Sequence, residues 1–196
     1  MSSSAIIHIQ ENLQYPPLKK IDPNTQQVPK MENEPTDQSF GQAAIPSILA
    51  SFCNYVESDE GALTVLNNHQ QKNWLKTIFG QKQQEAIGHI SDYSGQSSEY
   101  TLLHLQAIAK EVVKIVKEQL PENAVAEDIK DFFKNEKNDI LTYLPAEIQL
   151  GKLLDDDSLD DETNKMTGGL SGLVHSIGSA FVSTKEKEKL PEEPEN

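Results

Sequence analysis

From Ile45 to Leu154 the large apolar residues return every three or four positions, and this period constrains the fold more than any other feature of the sequence. Such spacing lines one face of an α-helix, whereas a half-buried strand needs strict alternation. Ile45, Ile48, Leu49, Phe52, Cys53 and Val56 predict a helix over about 41–57, with Pro46 either in its first turn or kinking it. Shorter helices are expected near 60–67 (Ala62, Leu63, Val65, Leu66) and 71–79 (Trp74, Leu75, Ile78, Phe79), the second ended by Gly80. A helix over 81–94 would turn Ala86, Ile87, Ile90 and Tyr93 inward and close at Ser94-Gly95, with Gly88 marking a close helix crossing. Ser97 or Ser98 can cap the longest helix, 98–119, and Pro121 stops it. Its apolar residues, from Leu102 to Val116, cover more than half of its circumference, so it is expected to be the central element. Helical spacing continues from Val125 to Leu144, and Ile148, Leu150, Leu153 and Leu154 add a short turn. The expected fold class is all-α: a compact bundle of about six to eight helices around a central long helix, with disordered N- and C-terminal tails.

Composition divides the chain further. Residues 1–38 hold Pro16, Pro17, Pro23, Pro29 and Pro35 and are expected to form a disordered arm ahead of a helical core domain over 39–154. Within the arm Ile6, Ile7, Ile9, Leu13 and Tyr15 form an apolar patch that can dock as a short extended segment on the body or on another protein. Asp155, Asp156, Asp157, Asp160, Asp161 and Glu162 predict an exposed, self-repelling acidic loop over 155–168. An amphipathic C-terminal helix is expected over 169–183, and a disordered charged tail over 184–196.

The charge is −14 over 196 residues, and all seventeen basic residues are lysine. A polyanion would be repelled, and the planar fork with which arginine reads guanine and clamps phosphate is missing. Neither nucleic acid nor an anionic membrane is therefore expected as a partner. Cys53 is the only cysteine, so no intramolecular disulfide or thiolate zinc cage can form. The first ten residues lack a basic region and a long apolar run, and no stretch approaches the ~18 apolar residues of a membrane span. A cytoplasmic location is the resulting expectation.

Ile78-Phe79-Gly80, Ala86-Ile87, Ile90-Ser91, Gly95 and Ser97, followed by the aliphatic helix through Leu105, Ile108, Val112 and Val113, form a helix, Gly, Ser, helix pattern. Over residues 78–120 this pattern resembles the YidB-like family of bacterial helical proteins. The resemblance implies an all-α bacterial protein and brings with it no activity and no catalytic residue.

No motif assembles chemistry along the chain. His8, His69, His89, His104 and His175 are scattered without a His-Glu-x-x-His match, Gly151-Lys152 lacks the rest of a phosphate loop, and Ser171 sits in Gly-x-Ser-Gly-Leu without the final glycine of a nucleophile elbow. The calcium-loop template started at Asp155 breaks at Leu159 and Asp160. Lys110, Lys114 and Lys117 alternate with Glu111 and Glu118 on a mostly apolar helix, a poor surface for reading DNA. Cys53 falls on the apolar stripe and reads as an inert core thiol. The expected function is a non-catalytic protein-interaction or scaffold module, with no cofactor and no metal, binding a protein partner or a second copy. Leu170, Leu173, Val174, Ile177 and Phe181 form the candidate partner-binding stripe, opposite a face without basic residues that would favour lipid. The alternative is a small-ligand binder or enzyme whose His/Glu site assembles between helices, from Glu85, His89, Tyr100 and His104.

Overall fold

Every residue from Phe40 to Cys53 is buried in the computed structural model, which describes residues 4–29, 35–67, 73–156 and 159. These residues lie in α2, Thr36–Tyr55, and α2 rather than the 98–119 helix is the centre of the bundle. A helix that is apolar on one stripe needs neighbours on one side only; a helix buried all round needs them everywhere. In α2 the face between the large residues is built from Gly41, Ala44, Ser47 and Ser51, small enough for other backbones to approach. Ser51 Oγ donates to the Ser47 carbonyl at 2.7 Å, whereas the buried Ser47 Oγ has no partner among the described residues. The 98–119 helix instead leaves Leu103, Lys110, Lys114 and Lys117 exposed.

Around α2 pack α1 (Ala5–Leu13), α4 (Trp74–Phe79), α5 (Gln83–Ser94), α6 (Ser98–Gln119), α7 (Ala126–Leu141) and α8 (Leu150–Leu154), while α3 (Asp59–Asn67) lies on α7. Two 3₁₀ turns, Gly80–Lys82 and Ala146–Ile148, join them, and no strand occurs among the described residues. The bundle is thus all-α around a central long helix. Local signals act where expected: Ser97 Oγ accepts the Tyr100 N–H at 3.2 Å and opens α6. Gly95 ends α5 in the left-handed region at φ 71°, where a side chain would be strained. Phe52 lies between Trp74 and Phe133, with ring centroids 5.7 and 5.8 Å away, and so ties α2 to α4 and α7.

The N-terminal region corrects the expectation of a disordered arm over 1–38. Residues 5–13 form a helix with Ala5, Ile6 and Ile9 buried. It docks as a helix, not as the extended segment anticipated for the patch Ile6, Ile7, Ile9, Leu13 and Tyr15. Nine residues would be marginal as an isolated helix, so tertiary contacts supply the stability. Two of these are electrostatic: Ala5 N–H donates to Glu136 Oε2 at 2.8 Å, and Ser4 Oγ donates to Asp139 Oδ2 at the same distance. The carboxylates of α7 thereby satisfy the positive end of α1. Beyond α1 the prolines shape a strap rather than prevent order. Ile21 N–H donates to the Thr142 carbonyl at 2.9 Å, Ala146 N–H donates to the Gln26 carbonyl at 3.2 Å, and Val28 is buried.

Gln42 joins three parts of the chain. Its Oε1 accepts the Lys19 N–H at 2.8 Å, while Nε2 donates to the Lys19 carbonyl at 3.0 Å and the Tyr143 carbonyl at 2.7 Å. α2 starts at Thr36, so Pro46 lies in mid-helix, where its missing N–H leaves the Gln42 backbone carbonyl without a helical donor. Gly88 does not mark a close crossing, because a Cβ there meets nothing within 4 Å. Gly61 instead allows the tight turn from α2 into α3: a Cβ there would lie 1.9 Å from the Tyr55 carbonyl oxygen.

The acidic loop expected over 155–168 is described only at Asp155, Asp156 and Leu159. Asp155 pairs with Lys82 at 2.8 Å, and Leu159 is buried. The expected 169–183 helix and 184–196 tail lie outside the described residues.

Gln42→Ala strands three backbone groups and should lower unfolding stability by about 1–3 kcal/mol, with faster amide exchange at Lys19. Urea denaturation should also separate the two glycines: Gly88→Ala gains about 1 kcal/mol through helix propensity, and Gly61→Ala loses about 1–3 kcal/mol to overpacking.

Candidate functional site

Tyr100 and His104 stand one turn apart on α6, so their rings share a face. They stack with centroids 3.9 Å apart at 19°. Phe40 of α2 meets both edge-on, at 5.3 and 5.6 Å, and the strap brings Tyr15 against Phe40 at 6.0 Å. The Tyr15 hydroxyl lies 2.7 Å from His104 Nδ1. Tyr100 donates to Asp37 Oδ1 at 3.2 Å, and Gln96 Nε2 reaches the same oxygen at 3.5 Å. Burial, then the charges on Tyr100 and Asp37, push the Tyr15 phenol above its ordinary range; Tyr100 is raised by burial and by Asp37. Both phenols are therefore held neutral, and each hydroxyl is bonded to a neighbour of the cluster. The arrangement fastens residue 15 to α6 and packs tightly: a Cβ on Gly41 would meet Tyr15 Cδ1 at 3.3 Å.

Of the four residues considered for a His/Glu site, the structure brings together Tyr100 and His104. His89 is held elsewhere, with Nδ1 2.8 Å from the Ile148 carbonyl, and Glu85 is exposed on α5. Tyr15 and Asp37 complete the cluster, and sequence reasoning missed both roles, because Tyr15 is 89 positions from His104. Among the described residues no three His, Cys, Asp or Glu side chains gather to hold a metal ion. No described helix is long and apolar enough to cross a membrane.

Cys53 is buried as its place on the apolar stripe implies, with Sγ donating to the Phe133 carbonyl at 3.7 Å. Burial pushes its thiol up to about 12. Leu170, Leu173, Val174, Ile177 and Phe181 lie outside the described residues.

A groove of mixed lining opens where α6 ends. Leu120, extended as the residue before a proline usually is, turns the chain out of the helix at Pro121. Val113 and Val116 form its floor, with Val65, Leu66 and Ile129 on the walls of a cavity of about 330 Å³. Asn67, Lys117 and Glu122 edge it. Leu63, one turn before Leu66, is 45% exposed, and Val125, beside the lining residue Ala124, is 58% exposed.

The raised phenol and thiol carry a pH signature. Each binds its proton more tightly in the folded chain than in the unfolded one, so its contribution is complete at neutral pH and lost on alkalinisation. Thermal unfolding should show stability falling as pH climbs from about 9 towards about 12, the range between the ordinary and the buried Cys53 thiol. Tyr15→Phe, which cannot ionise, should flatten part of that fall.

Comparison of the chain with protein-family models, with curated proteins and with solved structures gives no match.

Proposed function

We propose that this chain is a non-catalytic helical interaction module that receives an apolar stripe of a partner helix in the groove between α3, α6 and the 120–125 turn. The observation that carries this reading is the open groove itself, lined by apolar and polar residues together and flanked by the exposed Leu63 and Val125. Isolated apolar residues on a surface need no explanation, but two beside an open groove form a docking face. Each large side chain seated there would contribute about 1.5–3 kcal/mol. A chain of net charge −14 repels its own copies, so the partner is a different protein with basic flanks and not a second copy or a nucleic acid.

The aromatic cluster supports a structural rather than a catalytic part for its residues, since its hydroxyls bond to one another's neighbours. A cytoplasmic location is proposed on the single cysteine, which calls for no oxidising compartment. The YidB-like resemblance supports a bacterial source. The stripe Leu170, Leu173, Val174, Ile177 and Phe181 is proposed as a second contact on its sequence period alone.

A photoreactive residue at Asn67 on the groove rim should crosslink a partner that one at the exposed Lys152 does not. Leu63→Glu with Val125→Glu should weaken that complex at least tenfold while leaving the thermal midpoint within a degree or so, because surface changes rarely exceed about 0.5 kcal/mol. Equal capture by the native and doubly substituted chains would refute the assignment.

A further inference from the structure

Three of the nine residues of α1, Ala5, Ile6 and Ile9, are buried, while Ile7 is 43% exposed and Glu11 and Asn12 face water. A helix of this length does not persist alone, and so small a buried face lets it open without the rest of the fold. We propose that α1 is a flap that opens about Gln14 and is held shut by Glu136 and Asp139 of α7, while the strap behind it stays in place. No residue of α1 lines the partner groove, so the flap does not rest on that reading.

The latch is electrostatic. Ser4 opens the helix, its Oγ accepting the Ile6 N–H at 3.4 Å, and the same oxygen lies 2.8 Å from Asp139 Oδ2 and 3.1 Å from Glu136 Oε2. A hydroxyl has one hydrogen, so it serves one carboxylate at a time. What holds the two together is the positive end of α1, from which Glu136 also accepts the Ala5 N–H at 2.8 Å. Both carboxylates are half-buried and stand one turn apart on α7. Their charge fastens the end of the flap away from its hinge. Near the hinge Asn12 Nδ2 donates to Glu111 Oε1 at 2.7 Å, an exposed bond that water can replace.

The hinge is Gln14. It ends α1 in the left-handed region, at φ 59° and ψ 35°, where a residue other than glycine is strained, and it is exposed. Two hydrogen bonds cross it and break on opening: Tyr15 N–H to the Gln10 carbonyl at 3.0 Å, and Gln10 Nε2 to the Pro16 carbonyl at 2.7 Å. Tyr15 itself is a fixed post, with its ring against Phe40 and Gly41 and its hydroxyl on His104. Behind it Gln42 holds Lys19, and the Thr142 carbonyl holds Ile21. Open, the flap bares Ile6 and Ile9 together with the parts of α6 and α2 on which α1 lies; closed, it controls access to that apolar face.

Native-state hydrogen exchange of the full chain, followed by NMR in low urea, tests the flap. The amides of Ile9, Gln10 and Leu13 should exchange roughly ten times faster or more than those of Ile48 and Leu49 in α2. Their rate should barely change with urea, because a local opening exposes little surface. The Ile21 amide should outlast them. Glu136→Gln with Asp139→Asn, which keeps size and removes charge, should speed α1 exchange by about fivefold or more. Gln14→Gly, which removes the strain, should slow it by about two- to fivefold. Flap amides that share the steep urea dependence of α2, an Ile21 amide lost in step with them, indifference to the carboxylate substitutions, or acceleration by Gln14→Gly would each overturn the proposal.

Discussion

The burial of α2 on every side is the constraint from which the other elements take their positions. No part of Phe40–Cys53 can face water, so each surrounding helix must present an apolar stripe to it, and gaps must be closed by whatever chain is left. The strap from Tyr15 to Val28 closes one of them. Small residues make this possible: at Gly41 the Tyr15 ring comes as close as a backbone without a side chain allows. Polar groups in such surroundings need partners, since an unpaired buried group costs about 1–3 kcal/mol. Gln42 meets this condition with three hydrogen bonds, whereas the Trp74 indole N–H, fully buried, has no partner among the described residues.

Much of the helical order was legible in the sequence because it rests on local chemistry. The limits of α6 follow from the Ser97 cap and from Pro121, and those of α3 and the end of α5 follow from apolar spacing and Gly95. What escaped depends on distant partners. A proline-rich composition argues for disorder only when no surface waits to receive the segment, and neither the α7 carboxylates nor the Gln42 amide can be seen from residues 1–38. The centrality of α2 was hidden for a related reason. Glycine, alanine and serine read as neutral in a hydrophobic period, yet they let a helix be enclosed from all directions.

The candidate sites divide in the same way. Tyr100 and His104 were recognisable as a pair because one helical turn separates them. Glu85 and His89 could not be excluded from their company on spacing alone, because the rotation of α5 is set by its packing on α2 and α6.

The Gln42 junction also bears on how the molecule is made. Its two backbone partners lie at Lys19 and Tyr143, so a ribosome delivers the glutamine and the strap long before the third member. At about 5–20 residues per second the interval is roughly 5–20 s, during which α2 has emerged with its flanks bare. Nascent chains of this protein therefore pass through a stage in which their most enclosed helix is unsheltered until translation has passed α7.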